Sequence, residues 1–352
     1  MSMKIDRYEI DMLDVKNADA FLIHFFTEEG NEYIVLVDGG NYDDGDKIIQ
    51  FIHDNYRQQY IDLAICTHCD KDHFGGLMNL LQKMKDKSNG YVRIDKIWIH
   101  DPGRHSKDGI IQHNNGKEVV DVKARSVFDM KDSNLWDILD DLIKDKRIKW
   151  AEPFSDANGE NQESNWFNVL KVVGPTVDYY SRFVPDFRDD TKKKKNGYDF
   201  EEQDEINIEE EGGSLSKQMD EIGDDTSSHN RPSVITLFTP YEGAKYLFTG
   251  DACRESFEKL RDQTLYNSLS KLTWLKVPHH GSIYNLDSDL IKHLRPETAY
   301  ISSEKYGHYL SKAVVNSLKK VGTKVFATNI NGSMCHVHKM TFHKGYTSAK
   351  PL

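Results

Sequence analysis

The chain has 352 residues, 38% of them hydrophobic and 29% charged, with a formal net charge of -11 and a mean hydropathy of -0.66. No apolar run approaches the roughly 18 residues that span a bilayer, and residues 1–11 are charged where an export signal would be apolar. A cytoplasmic protein with no membrane partner is expected. Four irregularly spaced cysteines, Cys66, Cys69, Cys253 and Cys335, exclude a disulfide framework, and the acidity excludes a chain that coats nucleic acid by bulk charge. That acidity is concentrated: residues 188–225 hold 14 Asp and Glu against 6 Lys and Arg, a net of -8, so the rest carries -3 and has room for a local basic groove.

In chain order, residues 8–26 read as two strands around a loop at 14–20, and 33–38 as a third strand ending in Asp38-Gly39-Gly40. Residues 46–59 have helical spacing, with Ile48, Ile49, Phe51, Ile52 and Tyr56 on one face and Asp46 as N-cap. The apolar run 61–65 reads as a buried strand. After it comes Thr67-His68-Cys69-Asp70-Lys71-Asp72-His73-Phe74-Gly75-Gly76, then a helix over 77–84. In extended backbone alternate side chains share a side. His68, Asp70 and Asp72 therefore converge, and His73 sits where the chain turns. Gly75 and Gly76 permit close backbone passage and dihedrals that a side chain would forbid. Cys66 and Cys69 form a C-x-x-C, but His68 between them belongs to the stronger metal-ligand pattern.

Residues 94–99 read as a strand ending at His100, a histidine placed where it could face the site. Residues 119–148 read as largely helical, 166–173 as a strand, and 176–229 as a charged insertion of weak periodicity, flexible or ordered against a partner. A hairpin over 234–249 delivers Gly250-Asp251-Ala252. Residues 254–262 are a helix, and strand 272–277 ends in Pro278-His279-His280-Gly281-Ser282. A helix (287–294), a strand (299–302), Tyr306-Gly307-His308, a helix (311–320) and strands at 324–328 and 336–342 complete the chain. His336 and His338 share one face of the last strand, read as a solvated edge.

The string at His68 resembles the metal-binding motif of the metallo-β-lactamase fold. The usual His-x-His-x-Asp-His stands here as His-x-Asp-x-Asp-His, which is similar to the soluble hydrolase domain of ComEC, the DNA-uptake channel protein. Asp14, Val15, Asp19, Ala20 and Asp38-Gly39-Gly40 match that group's first segment, whereas Lys16 and Ala18 stand where it prefers glycine. Phe-Thr-Gly-Asp-Ala at 248–252, Pro-His-His-Gly-Ser at 278–282 and Tyr-Gly-His at 306–308 match further segments. The resemblance implies an α/β fold, the αββα four-layer sandwich, as a single domain over 1–352 with an insertion at about 176–229; twice-repeated β/α alternation agrees. With no membrane-spanning run, a stand-alone hydrolase domain and not a channel is expected. The resemblance assigns His68 and Asp70 to one ion and Asp72, His73 and His279 or His280 to another, with Asp251 bridging. His279 is placed with the metal ligands, and Asp72, His280 and His308 nearest the chemistry. The third-motif ligand is His229, Asn230 or absent. The carboxylates of Asp14, Asp19 and Asp38 are expected to fix their loops.

Such a set holds one or two divalent ions, zinc or manganese with magnesium possible, because Asp70 makes the site harder and more anionic. The expected reaction is hydrolysis of a phosphodiester by a metal-activated water, nucleic acid or a small phosphodiester being the substrate and DNA favoured. His308 would protonate the leaving alcohol or hold a phosphate oxygen. Hydrolysis of a small ester, lactone, thioester or nucleotide signal is the alternative. A third is a partner-regulated subunit of a bacterial multi-protein system, binding protein through the acidic insertion.

Overall fold

The computed structural model describes residues 3–106, 112–114, 117–156, 165–166, 168–188, 219–261, 264–304, 310–343 and 349–352. Strands β1 (Ile5–Met12), β2 (Phe21–Thr27) and β3 (Glu32–Val37) form an antiparallel meander. Helix α1 (Asp44–Phe51), prolonged by a π-turn over Ile52–Tyr56, crosses to β4 (Tyr60–Ile65). Helix α2 (Lys71–Asp86) then crosses to β5 (Arg93–Trp98), and both strands join in parallel. Two small hairpins follow, β6 with β7 (Gln112–Asn114, Lys117–Val119) and β8 with β9 (Asp129–Met130, Ser133–Asn134), before α3 (Leu135–Lys144) and β10 (Lys149–Ala151).

The second sheet takes β11 (Asn165–Trp166), β12 (Leu170–Gly174), β13 (Ile235–Phe238) and β14 (Tyr246–Phe248) antiparallel. It then takes β15 (Trp274–Lys276), β16 (Thr298–Ile301) and β17 (Lys324–Ala327) parallel. The last strand, β18 (Met334–His338), crosses back to pair with β1. The sheet orders are β10-β5-β4-β3-β2-β1-β18 and β11-β12-β13-β14-β15-β16-β17.

Period-two alternation builds three apolar layers. Tyr8, Ile10 and Met12 of β1 and Phe21, Ile23 and Phe25 of β2 meet Tyr246, Phe248 and Trp274 between the sheets. Leu22, Ile34 and Leu36, on the opposite face, lie under Phe74, Leu77 and Leu81 of α2. Leu247, Leu275 and Ala299 lie under Phe257, Leu290 and Val314 of the second sheet's helices. Each such side chain contributes on the order of 1.5–3 kcal/mol by leaving water. This is the αββα four-layer sandwich that the motifs led us to expect. No helix among the described residues is long and apolar enough to cross a membrane.

Three expectations are corrected. Helix α2 begins at Lys71, six residues before the expected start, so Asp72 lies in its first turn and is not in extended backbone. Gly75 and Gly76 sit inside the helix, where they serve close approach: a Cβ on Gly76 would stand 1.9 Å from the Gly39 carbonyl oxygen. The stretch 119–148 is helical only over Ala124–Phe128, a 3₁₀ segment, and α3. Lys131 and Asp132, at φ 50° and 62°, make the two-residue hairpin turn of β8–β9, and Asn134 caps α3 by accepting from the Trp136 amide at 2.8 Å. The expected strand 166–173 is broken at Asn168 (φ 60°) into β11 and β12.

Both described ends of the expected insertion are packed. Helix α4 (Val177–Phe183) is capped by Thr176 and buries Tyr179 and Tyr180, and Met219 is fully buried. Residues 189–218 lie outside the described set.

Candidate metal centre

Every candidate ligand leaves a strand at the same end of the sandwich. Asp38 follows β3; Thr67, His68 and Asp70 follow β4; Asp72 and His73 open α2. Asp251 follows β14, His279 and His280 form a tight turn after β15, and Ser302 follows β16. Carboxyl ends of parallel strands are where open α/β sheets leave a crevice. The two halves are joined there by the Val234 amide, which donates to the Thr67 carbonyl at 2.9 Å. Gly250 lies beside them at φ 51°, where a Cβ would stand 2.8 Å from the Thr67 side chain. Only glycine allows that approach.

Asp251 Oδ2 is the common point. It lies 3.9 Å from His68 Nε2, 3.3 Å from His73 Nε2, 3.8 Å from His279 Nε2 and 3.9 Å from His280 Nε2. Asp70 Oδ2 is 3.7 Å from His68 Nε2, and Asp72 Oδ2 is 3.7 Å from His73 Nε2 and 3.4 Å from His280 Nε2. Donor atoms of His68, His73 and Asp251 lie within 4.8 Å of one another, and so do those of Asp72, His73 and His280. The Nε2 atoms of His68 and His73 are buried and make no hydrogen bond. Two ligands held about 2.0–2.2 Å from one ion sit about 3–3.5 Å apart, so a divalent ion fits these spaces with small side-chain shifts.

Partners on the far side assign each ring's tautomer. Asp38 Oδ2 lies 2.8 Å from His73 Nδ1, and a carboxylate only accepts, so Nδ1 carries a proton and Nε2 is the atom that faces the centre. Thr67 Oγ1 donates to Asp38 at 2.7 Å and therefore accepts from His68 Nδ1 at 3.1 Å. Ser302 Oγ donates to Asp19 and accepts from His280 Nδ1 at 2.9 Å. The Asn285 amide nitrogen donates to the Asp251 carbonyl at 3.0 Å, which turns its Oδ1 toward His279 Nδ1 at 3.1 Å, where Asp225 Oδ2 also stands at 3.1 Å. All four histidines are thus held through Nδ1 and turn Nε2 toward the centre.

The electrostatics point the same way. Burial would raise the Asp251 carboxyl, but His73, Lys276, His279 and His280 hold it well below the usual range. Burial would lower the His73 imidazole, yet Asp251, Asp38 and Asp72 outweigh it and raise it well above the ordinary value. The carboxylates draw positive charge to the centre, and a bound ion would displace that proton. Lys276 Nζ is buried between Asp19 Oδ2 and Asp251 Oδ1, the latter at 3.2 Å, and bonds the Gly250 carbonyl at 2.7 Å.

Of the residues read from the sequence, His68, Asp70, Asp72, His73, Asp251, His279 and His280 are brought together. His308 lies outside the described residues. His100 is buried elsewhere: its Nε2 lies 3.2 Å from the Pro153 carbonyl, its ring stacks on Phe154, and burial depresses its pKa to about 3. His229 has Nδ1 on Asp70 Oδ1 at 2.6 Å and Nε2 on the Phe187 carbonyl at 2.8 Å. Both partners accept, so both nitrogens carry protons and His229 positions Asp70. Asn230 donates to Asp225 at 2.8 Å. Asp38 and Asp19 do more than fix loops, since they orient His73 and pair with Lys276. His336 and His338 lie half-buried on the sheet's edge strand, His336 bonding Tyr246 at 3.3 Å and His338 stacking on Tyr8.

Sequence reasoning missed Lys276, Asp225, Asn285 and Ser302. Lys276 had a signal, a lone lysine inside the apolar run Trp-Leu-Lys-Val just before the histidine pair. Asp225 had none, because it sits in an acidic tract that reads as solvated.

No family model matches the chain. Over 119 residues it is 31% identical to ComE operon protein 3 of Bacillus subtilis (strain 168), a match covering 33% of this chain and 15% of that protein. The match thus spans a small part of the curated relative's length. Among solved structures, the chain is similar to a diphosphatase from the PhnP family (TM-score 0.41, 9% identity, 95% of this chain and 98% of that one). It is also similar to a long form RNase Z from yeast (TM-score 0.35, 12% identity, 84% of this chain and 37% of that one).

Proposed function

We propose that the chain is a metal-dependent phosphodiesterase of the ComEC-like kind, with DNA its first substrate to test. The observation that carries this reading is the set of four inward-facing Nε2 atoms around Asp251 Oδ2, with Asp70 and Asp72 at the flanks. His68 and Asp70 would hold one divalent ion and Asp72, His73 and His280 a second, with Asp251 reaching both; His279 is left for the substrate side. Bound there, such ions supply a water that ionises near neutral pH and positive charge for the phosphoryl oxygens. The imidazoles suit zinc or manganese, and the three carboxylates harden the set and shift its preference from zinc toward manganese or magnesium.

The chain's own residues do the rest. Asp38, Thr67 and Ser302 keep the imidazole protons on Nδ1, Lys276 holds the carboxylate of Asp251, and His229 holds that of Asp70. His308 is assigned the proton of the leaving oxygen on its Tyr-Gly-His motif.

Metal analysis of the purified protein, paired with single-stranded DNA, duplex DNA, RNA and small phosphodiesters, tests this. Asp251→Ala should lose metal and about 100-fold or more of the hydrolysis rate. A metal-loaded wild type that cleaves none of these substrates would overturn the reading.

A further inference from the structure

A second cluster of donors lies outside this centre. Glu9 and Asp11 are two residues apart on β1 and face the helix side of the first sheet, opposite Tyr8, Ile10 and Met12. Cys335 of β18 is the register partner of Asp11. His343 closes the group, its Nε2 3.3 Å from both Glu9 Oε2 and Asp11 Oδ2. One donor atom from each of the four lies within 4.8 Å of all the others, and Glu9 and Asp11 are 1% and 0% exposed.

Two features separate this cluster from an ordinary ion pair. Each carboxylate is anchored from outside through one oxygen: Glu9 Oε1 by His24 Nδ1 at 2.8 Å, whose other nitrogen meets Glu32 at 2.7 Å, and Asp11 Oδ2 by the Tyr56 hydroxyl at 2.6 Å. Glu9 Oε2 and Asp11 Oδ1 are buried and make no hydrogen bond. A protonated His343 alone would meet both carboxylates at 3.3 Å, longer than the roughly 2.7–2.9 Å of a charge-assisted bond, and would leave Asp11 Oδ1 unmatched at a substantial desolvation cost.

We propose that Glu9, Asp11, Cys335 and His343 bind one divalent ion of the zinc class, as a structural site tying β18 and the segment after it to β1. Two carboxylates, one thiolate and one imidazole suit a borderline-soft ion in four-coordinate geometry. Four protein donors leave no open position for water, so the site stabilises and does not catalyse. On binding, the proton of the Cys335 thiol and any Nε2 proton of His343 are released to solvent, and the thiolate and imidazole stay as ligands. His24 and Tyr56 orient the two carboxylates from behind.

The full chain, stripped with chelator and reloaded with Zn²⁺ or Co²⁺, tests this. Wild type and Cys69→Ser should both show the near-ultraviolet charge-transfer band of a thiolate on Co²⁺, and Cys335→Ser should not. Asp251→Ala, which empties the other centre, should keep the band, so the two sites fail independently. Zinc content should fall by about one ion per chain in Cys335→Ser and in His343→Ala. The His343 variant keeps the test decisive if the buried Cys335→Ser variant does not fold. A wild type without the band, a band that survives in Cys335→Ser, or full zinc content in His343→Ala would overturn the proposal.

Discussion

Asp38 acts on the centre through one proton. It accepts from the Thr67 amide and hydroxyl and faces His73 Nδ1 at 2.8 Å. Asp38→Asn keeps the shape but can turn an amide N–H toward His73, which moves the ring proton to Nε2 and removes the lone pair. We expect metal affinity to fall about 10–100-fold, read by competition with a chromophoric chelator, while the folded far-ultraviolet spectrum is retained. Lys276 is the complementary case. Lys276→Met leaves Asp19 and Asp251 buried without their cation, a loss of about 3–5 kcal/mol, to be seen as a lower urea midpoint for the metal-free protein. Saturating Mn²⁺ should restore part of the loss by supplying the missing charge. A variant as stable as wild type without metal would refute the assigned role. The candidate ligands were legible because they crowd into six residues and two short turns. Their supports were not, because residues 38 and 73, or 19, 276 and 302, meet only through the fold.

At the scale of elements, β3 and β4 are joined through a side chain as well as by backbone. Asp62 Oδ2 of β4 accepts from the Ile34 amide of β3 at 2.7 Å, and burial pushes its carboxyl up to about 6. The folded state therefore favours the protonated form. That contribution is fully present below about pH 4, where the unfolded carboxyl is also protonated, and is lost as pH rises through about 6. Asp62→Asn keeps the acceptor and cannot ionise. Its stability relative to wild type should rise between pH 4.5 and 7.5, measured by urea unfolding at both values, and an unchanged difference would rule out the ionisation as its cause. The strands were legible because alternation and apolar runs are local. The start of α2 was not, since Gly75-Gly76 reads as a breaker and only the packing against Gly39 shows why a helix keeps it. Charge periodicity over 119–148 imitated a helix that the turn at Lys131-Asp132 interrupts.

For the whole molecule, the centre is built from both halves, and the acidic tract 188–225 reaches into it at one end. Asp225 holds His279 and Asn230, and Asp224 caps the helix Arg254–Arg261 by accepting from the amides of Arg254 and Glu255 at 3.0 and 2.9 Å. Met219 is buried in the second sheet's outer core. By composition these acids are indistinguishable from solvated ones, which is why the tract reads as one insertion. Two excisions separate its parts. Replacing residues 192–216 with a Gly-Ser linker should leave metal content and phosphodiester hydrolysis within about threefold of wild type, since the described contacts from either end of the tract to the centre come from Phe187 and Asp225, which it keeps. Replacing residues 192–225 removes Met219, Asp224 and Asp225 together. It should cost metal binding, because the helix after Asp251 loses its cap, and hydrolysis, because His279 on the substrate side also loses its carboxylate. Metal content and turnover of the two variants, measured side by side, decide it. If the shorter excision abolishes hydrolysis while metal stays bound, the tract acts on substrate or on a protein partner.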